Sequence, residues 1–160
     1  MSNMKMLIVY DSRSGNTEKM AQAVAEGVKA AGVEAVLKKV DDASVDEIPQ
    51  YKGLILGSPV YYGLPTAKIK EFIDVSVKHH GKLDGMVGGA FASAGGTHTG
   101  AETTIISLLE ALMVHGMVVQ GTSSTNHYGA ASVGTPDDKE VEVCRKMGER
   151  LGKLAKKLHT

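Results

Sequence analysis

The chain has 160 residues, which suits one globular domain with a buried core. Its 18 Lys and Arg balance 18 Asp and Glu, which excludes the strongly basic surface typical of nucleic-acid binding. No apolar run reaches the ~18 residues that a membrane span needs, and the single Cys144 cannot form an internal disulfide or a cysteine zinc site. With no signal-peptide pattern at the start, we expect a cytoplasmic protein formed by one domain, 1–160, without a metal.

The amino-terminal segment predicts a strand, a helix and a second strand. Residues 6–10 form a continuous apolar run, typical of a strand buried on both faces. A helix is predicted from Thr17, because apolar residues then recur at helical spacing, and Gly32 suits its end. Residues 33–40 predict the second strand, and the capping-box spacing of residues 44–47 indicates a short helix.

The middle of the chain repeats this alternation. Residues 53–57 predict a third strand, and residues 86–92 predict a fourth strand of small side chains. Between them, Thr66 is expected to cap a helix. The residues expected on the inner face of that helix are Ile69, Phe72, Ile73 and Val77.

The carboxyl-terminal segment predicts two more helices around a last strand. Residues 102–115 form a helix, residues 117–120 the fifth strand and residues 121–135 a long loop. Pro136 suits the first turn of the final helix. The residues expected on its inner face are Cys144, Met147, Leu151, Leu154 and Leu158. Alternation of buried strands with helices predicts a parallel sheet covered on both faces.

Ligands of such sheets bind beyond the carboxyl ends of the strands, so the first loop, residues 11–17, is a candidate site. Its sequence D-S-R-S-G-N-T joins a strand to a helix amino terminus, where free amides favour a phosphate. The loop lacks the Gly-Lys-Ser/Thr ending of a Walker A motif and the three glycines of G-x-G-x-x-G. A plain capped turn is the alternative interpretation.

Two further loops have unusual compositions. Residues 57–65 display Tyr61 and Tyr62 beside a glycine, which favours stacking on a flat ligand or, alternatively, packing beneath a neighbouring loop. Residues 93–101 are rich in Gly and Thr, so they can offer several backbone amides to one ligand edge or form a flexible loop.

Together these loops resemble the flavodoxin-like superfamily, which binds flavin mononucleotide (FMN). Residues 12–17 resemble its phosphate loop, Ser/Thr-x-Ser/Thr-Gly-Asn/His-Thr. The stretches G-S-P-V-Y-Y-G, F-A-S-A-G-G-T-H-T-G-A-E-T-T-I, H-G-M-V-V and N-H-Y-G-A are more similar to the WrbA-type NAD(P)H:quinone oxidoreductases. The resemblance implies a flavodoxin-like three-layer sandwich with a five-stranded parallel sheet of order 2-1-3-4-5.

The resemblance also implies roles for single residues. The FMN phosphate would be held by Ser12, Arg13, Ser14, Gly15, Asn16 and Thr17. The flavin ring would be edged by Pro59, Val60, Tyr61, Tyr62 and Gly63, and its pyrimidine side by Ser93, Ala94, Gly95, Gly96 and Thr97. Tyr62 and His115 are the candidate catalytic residues, although a histidine that ends a helix also suits the helix dipole.

The implied function is an FMN-dependent reduction of quinones or similar acceptors by NAD(P)H. The chain has no Trp, no net charge and no aromatic residue in 93–101, whereas electron-carrier flavodoxins are usually acidic and enclose the flavin between aromatic rings. The alternatives are a flavodoxin that carries electrons between redox proteins and a flavin-free regulatory protein. We also expect a homodimer or a higher homo-oligomer.

Overall fold

The first five strands in chain order lie in the sheet in the order 2-1-3-4-5, and a sixth short strand also pairs with the fourth. This computed structural model describes residues 3–160. The strands are β1 (Lys5–Tyr10), β2 (Glu34–Lys39), β3 (Gly53–Pro59), β4 (Val87–Ala94), β5 (Val118–Val119) and β6 (Ala131–Val133). The helices are α1 (Asn16–Ala30), α2 (Ala67–Val75), α3 (Ala101–Val114) and α4 (Asp138–His159). Short 3₁₀ segments span Val40–Asp42, Val45–Gln50 and Ser76–His79.

All pairings between these strands are parallel, which confirms the expected doubly wound α/β fold. Alternate residues of β1 enter two separate cores. Met6, Ile8 and Tyr10 pack with α1 and α4 on one face, whereas Leu7 and Val9 pack with α2 and α3 on the other. A strand that is buried on both faces therefore has a continuous apolar sequence, as predicted.

The last strand position differs from the prediction, because two strands occupy it in tandem. β5 pairs with the beginning of β4, and β6 pairs with its end. The sequence predicts a loop at residues 131–133, since a three-residue strand is too short to show a period of two. Gly129 allows the chain to return to β4, because a Cβ there would lie 2.0 Å from the carbonyl oxygen of Ala90.

Three smaller expectations were also wrong. Pro136 precedes the final helix, which begins with a capping box between Asp137 and Glu140. Val77 and Leu158 are exposed instead of facing inward. Val77 does not continue the inner face of α2, because that helix ends at Val75 and the chain continues as a 3₁₀ segment.

Helices α1 and α4 approach closely through glycines. A Cβ on Gly27 would lie 1.9 Å from the carbonyl oxygen of Arg145, and a Cβ on Gly148 would lie 2.0 Å from that of Val24. Backbone atoms of the partner helix occupy the space that a side chain would need. The glycines thus set the distance between the helices that cover one face of the sheet.

We predict that Gly27→Ala destabilises the protein by about 1–3 kcal/mol, because the methyl group forces the helices apart. In an exposed helix the same substitution stabilises by roughly 1 kcal/mol. The sign of the change in the free energy of unfolding therefore shows whether the two helices are in close contact at Gly27. Urea unfolding measures the free energy, with exposed Lys29→Ala on the same helix as a control expected within about 0.5 kcal/mol of the wild type. An unchanged or increased stability of Gly27→Ala would contradict the close approach.

Candidate functional site

Three loops meet at the carboxyl edge of the sheet. The structure narrows the predicted loops, because neighbouring strands and helices include some of their residues: the first loop spans residues 11–15, the second residues 60–66 and the third residues 95–100. They follow β1, β3 and β4, which are adjacent and parallel in the sheet. Parallel strands end at the same edge, so loops far apart in sequence become neighbours. This confirms that the strand order brings the predicted loops together.

The first loop is fixed by its own hydrogen bonds. The buried Ser12 accepts through Oγ from the amides of Gly15, at 3.1 Å, and Glu18, at 3.4 Å. Gly15 has a φ of 95°, a left-handed conformation that disfavours a side chain, and nothing lies within 4 Å of the position of a Cβ. The turn into α1 therefore leaves open space beside the start of the helix.

The beginning of α1 presents unused hydrogen-bond donors. The N-cap residue, Gly15, has no side chain to accept from these amides, and within residues 3–160 the amides of Asn16 and Thr17 donate to no group. The exposed Ser14 hydroxyl lies on the same turn. Free amides and the positive end of the helix dipole together favour an anion such as a phosphate.

A buried hydrogen bond joins the first turn of α1 to the end of β4. The hydroxyls of Thr17 and Ser93 lie 2.7 Å apart, and both side chains are buried. The two residues are 76 positions apart in the sequence. This contact holds the amino terminus of α1 in a fixed position relative to the third loop.

The second loop turns tightly at its tip. Tyr61 and Leu64 exchange two backbone hydrogen bonds, of 2.9 and 3.0 Å, around Tyr62 and Gly63, which both have positive φ. This is the geometry of a two-residue type I′ turn. The turn leaves Tyr62 fully exposed, while the guanidinium of Arg13 lies 4.3 Å from the ring centre of Tyr61.

The third loop contacts the second. The amide of Val60 donates to the carbonyl oxygen of Ser93 at 2.8 Å. Gly100 approaches Gly63 so closely that a Cβ on Gly100 would lie 2.8 Å from the Cα of Gly63. Pro59, Ser93 and Ala94 belong to the ends of β3 and β4 and not to the loops, because the strands run further than the apolar sequence indicated.

Asp11 is a polar residue at this edge to which the sequence analysis gave no separate role. Its side chain is 3% exposed, and its Oδ2 has no hydrogen-bond partner in the described part of the chain. The Asp11 amide donates to the carbonyl oxygen of Gly57, which extends the β1–β3 pairing into the first loop. A single acid after a strand gives no signal of burial in the sequence, so its position could not be predicted.

His115 lies at the opposite edge of the sheet, which corrects its expected position beside the loops. It follows α3, which starts at the third loop and runs for 14 residues, or about 21 Å. Its Nε2 lies 2.8 Å from Oγ of Ser76, and the next residue, Gly116, bonds to Gly85 before β4 begins. The H-G-M motif does not specify which edge of the sheet it occupies.

The neutral form of His115 is favoured by its surroundings. Ser76 Oγ donates to the carbonyl oxygen of Ile73, so it accepts a hydrogen bond from Nε2 of His115. Nδ1 of His115 is buried without a partner. Burial, followed by the nearby His80 and His79, lowers the pKa of His115. The histidine has the contacts of a structural residue that closes the end of a helix.

The strand order and the joined loops define a doubly wound α/β protein whose three loops meet at the carboxyl edge of its sheet. The sequence matches the flavodoxin family over residues 8–115. The chain belongs to this family, and membership implies FMN binding. It is therefore placed among the flavoproteins of electron transfer and oxidoreduction.

Individual relatives fall into two functional groups. The flavodoxin of Aquifex aeolicus is 42% identical over 156 residues, which cover 92% of this chain and 84% of that protein. The NAD(P)H dehydrogenase (quinone) of Archaeoglobus fulgidus is 30% identical and covers 96% of this chain and 98% of its own length. The crystal structure of a WrbA-like flavodoxin from Agrobacterium tumefaciens superposes with a TM-score of 0.83 at 25% identity, over 97% of this chain and 99% of that chain.

The residues present fit the phosphate of FMN. The first turn of α1 offers free amides and the Ser14 hydroxyl, and the space beside Gly15 is open. Open space also lies beside Gly63 and Gly95, where a flat ring could approach the backbone. Within residues 3–160, no group of His, Cys, Asp and Glu could hold a metal ion, and no helix has the length and apolar character for crossing a membrane.

We predict that the stability of the wild type falls below about pH 6.5, in part through His115. Its folded pKa is lowered, so the unfolded chain binds the proton first as the pH falls, and unfolding becomes easier. His115→Gln cannot take up this proton. The substitution should lower the free energy of unfolding by about 1 kcal/mol at pH 7.5, because it alters the hydrogen bond to Ser76. Between pH 7.5 and 5 the variant should then lose less stability than the wild type does.

Urea unfolding at both pH values measures this difference. Exposed His98→Gln is the matched control and should follow the wild type. An unchanged pH dependence in His115→Gln would contradict the assignment of a buried neutral histidine.

Proposed function

We propose that the protein is an FMN-dependent oxidoreductase that transfers two electrons from NAD(P)H to quinones or similar acceptors. The observation that carries this proposal is the openness of the site. Tyr62 is fully exposed, and the loop across from it has no aromatic residue in 93–101 that could cover a ring. A flavin seated here would keep one face accessible to a substrate.

In this proposal the phosphate lies at the first turn of α1. Ser14 and the amides of Asn16 and Thr17 donate to its oxygens, and Arg13 adds a positive charge at the rim. Thr17 also positions Ser93 through their shared hydrogen bond. The complete proposed phosphate set is Ser12, Arg13, Ser14, Gly15, Asn16 and Thr17.

The second and third loops hold the ring. Pro59, Val60 and Gly63 border the ring with backbone and small side chains, while Tyr61 and Tyr62 offer aromatic faces. Exposed backbone at Gly95 and Gly96 can bind the polar pyrimidine edge. The remaining proposed contacts on that side are Ser93, Ala94 and Thr97.

FMN supplies the electron-transfer chemistry, since it accepts and releases one or two electrons. The overall reaction oxidises NAD(P)H to NAD(P)⁺ and, with one further proton, reduces a quinone to a hydroquinone. Tyr62 is the proposed catalytic contact, because an exposed ring at the turn can stack on the donor or the acceptor. The position of His115 supports no contact with the reacting atoms of the same chain.

A second candidate function is electron carriage between redox proteins. The similarity to the Aquifex aeolicus flavodoxin, at 42% identity, favours it. The open site also fits this function, because a partner protein could approach the same exposed edge. The two candidates differ in whether small molecules alone support turnover.

Homo-oligomer formation is a further part of the proposal. Helix α3 carries exposed Ile106 and Met113, followed by Val114, which is 70% exposed. A helix with apolar residues on its outer face is typical of one covered by a partner. We also infer a cytoplasmic location, because the proposed donor is an intracellular nucleotide.

Steady-state oxidation of NAD(P)H with benzoquinone tests the reductase. The FMN-loaded protein should turn over faster than free FMN, and double-reciprocal plots should be parallel, since donor and acceptor use the same site in turn. Tyr62→Ala should lower kcat/KM about tenfold through lost stacking, while Tyr128→Ala, another exposed tyrosine, should not.

Bound FMN without turnover above that of free FMN would contradict the reductase and favour the carrier. Turnover that is equal in the two tyrosine variants would contradict the role of Tyr62.

A further inference from the structure

A concave surface lies between α4 and the segment that joins β5 to β6. We call this surface the α4 groove. It has a volume of about 390 Å³, and one wall is a single face of α4 that includes Lys139, Lys146 and Arg150. The other wall contains Thr122, Ser124 and Thr125. No residue of the first, second or third loop lines it.

The wall formed by residues 120–130 is held by its own contacts. Two hydrogen bonds join Thr122 and His127. The amide of Thr122 donates to the carbonyl oxygen of His127 at 3.1 Å, and Nδ1 of His127 donates to the carbonyl oxygen of Thr122 at 2.8 Å. Oδ1 of Asn126 accepts from the amide of Ala131 at 2.9 Å. The Ala130 amide contacts Sδ of Met147 on α4 at 3.3 Å. The groove is therefore preformed.

The cations of the groove are left without carboxylate partners. Lys139, Lys146 and Arg150 take part in no ion pair in the described residues 3–160. Asp138 and Glu142 also line the groove, but Glu142 is bound by Arg145. Three cations against one free carboxylate leave the groove positively charged.

Arg150 is the central member of this group. It lines the α4 groove and also two other concave regions of the surface. Its Nε atom is buried and has no hydrogen-bond partner within residues 3–160. Burial lowers the pKa of Arg150, with no carboxylate to oppose the effect. Arg150 is half-buried, so its charge is only partly solvated by water, and an anionic ligand in the groove would compensate for this loss.

The opposite wall supplies matching donors. Oγ1 of Thr122 accepts from the amide of Ser124 at 3.3 Å, so its own hydroxyl proton can be donated elsewhere. Ser124 and Thr125 are exposed and add two hydroxyls. A guanidinium with nearby lysines and hydroxyls is the donor set that binds the oxygens of a phosphate or carboxylate.

We propose that the α4 groove binds the oxyanion of a small molecule, a phosphate ester or a carboxylate, with Arg150 as its principal contact. Lys146 and Lys139 provide additional charge, and the hydroxyls on the facing wall bind the remaining oxygens. The groove is of the size that accepts small organic ligands, about 300–1,000 Å³. The site is separate from the proposed flavin site and does not depend on it.

Titration of the FMN-loaded protein with inorganic phosphate and, separately, with malonate tests the proposal at constant ionic strength. The ¹⁵N–¹H resonance of Arg150 Nε should shift and saturate with at least one of the two anions, and the anion that binds identifies the headgroup. Arg150→Gln should weaken binding by about tenfold or more, as judged from amides of residues 122–126. Lys70→Gln, which removes an exposed cation paired with Asp74 outside the groove, is the charge-matched control and should change affinity less than about twofold.

Lys146→Gln is a second variant in case Arg150→Gln fails to fold, and it should weaken binding by about threefold or more. The proposal is overturned if neither anion gives a saturating shift, if chloride gives the same shift, or if the groove variants bind as the wild type does. In a chain that fails to hold FMN, phosphate at the first loop would shift the amides of residues 14–17, so the two proposals are tested by different resonances.

Discussion

The hydrogen bond between Thr17 and Ser93 joins the parts on which the site depends. It links the first turn of α1 to the end of β4, across 76 positions of sequence and inside the protein. The carbonyl oxygen of Ser93 also accepts a hydrogen bond from the amide of Val60. Ser93 therefore contacts both the first turn of α1 and the second loop. Free amides at the helix terminus can bind a phosphate only if the loop cannot collapse onto them, and these contacts prevent that collapse.

The sequence predicted those parts of the fold that periodicity and turn chemistry encode. The apolar runs of β1 and β3 are long enough to identify strands buried on two faces, and Gly32 does end its helix region with a positive φ. β6 was missed, because a three-residue strand owes its conformation to pairing with β4 rather than to its own sequence. The capping box at Asp137 was obscured by the adjacent Pro136, which suggested an earlier helix start.

The sequence likewise predicted some parts of the candidate site and not others. Local motifs identified the loops, because a strand–loop–helix sequence carries the helix terminus with it, and the sheet order then brought the loops together. The resemblance implied a place near the flavin for His115, whereas the predicted order of loop and helix already puts this residue at the far end of α3. Burial of Asp11 and the unpaired Nε of Arg150 depend on contacts between distant segments, which no local pattern records.

The FMN affinity of Ser14→Glu tests the central claim, that the first loop holds the flavin phosphate, most directly. A carboxylate beside the free amides should repel the phosphate and weaken FMN binding by about 100-fold, measured by quenching of flavin fluorescence. Ser123→Glu adds the same charge on an exposed loop and should stay within about twofold of the wild type. Wild-type affinity in a folded Ser14→Glu protein would contradict the account.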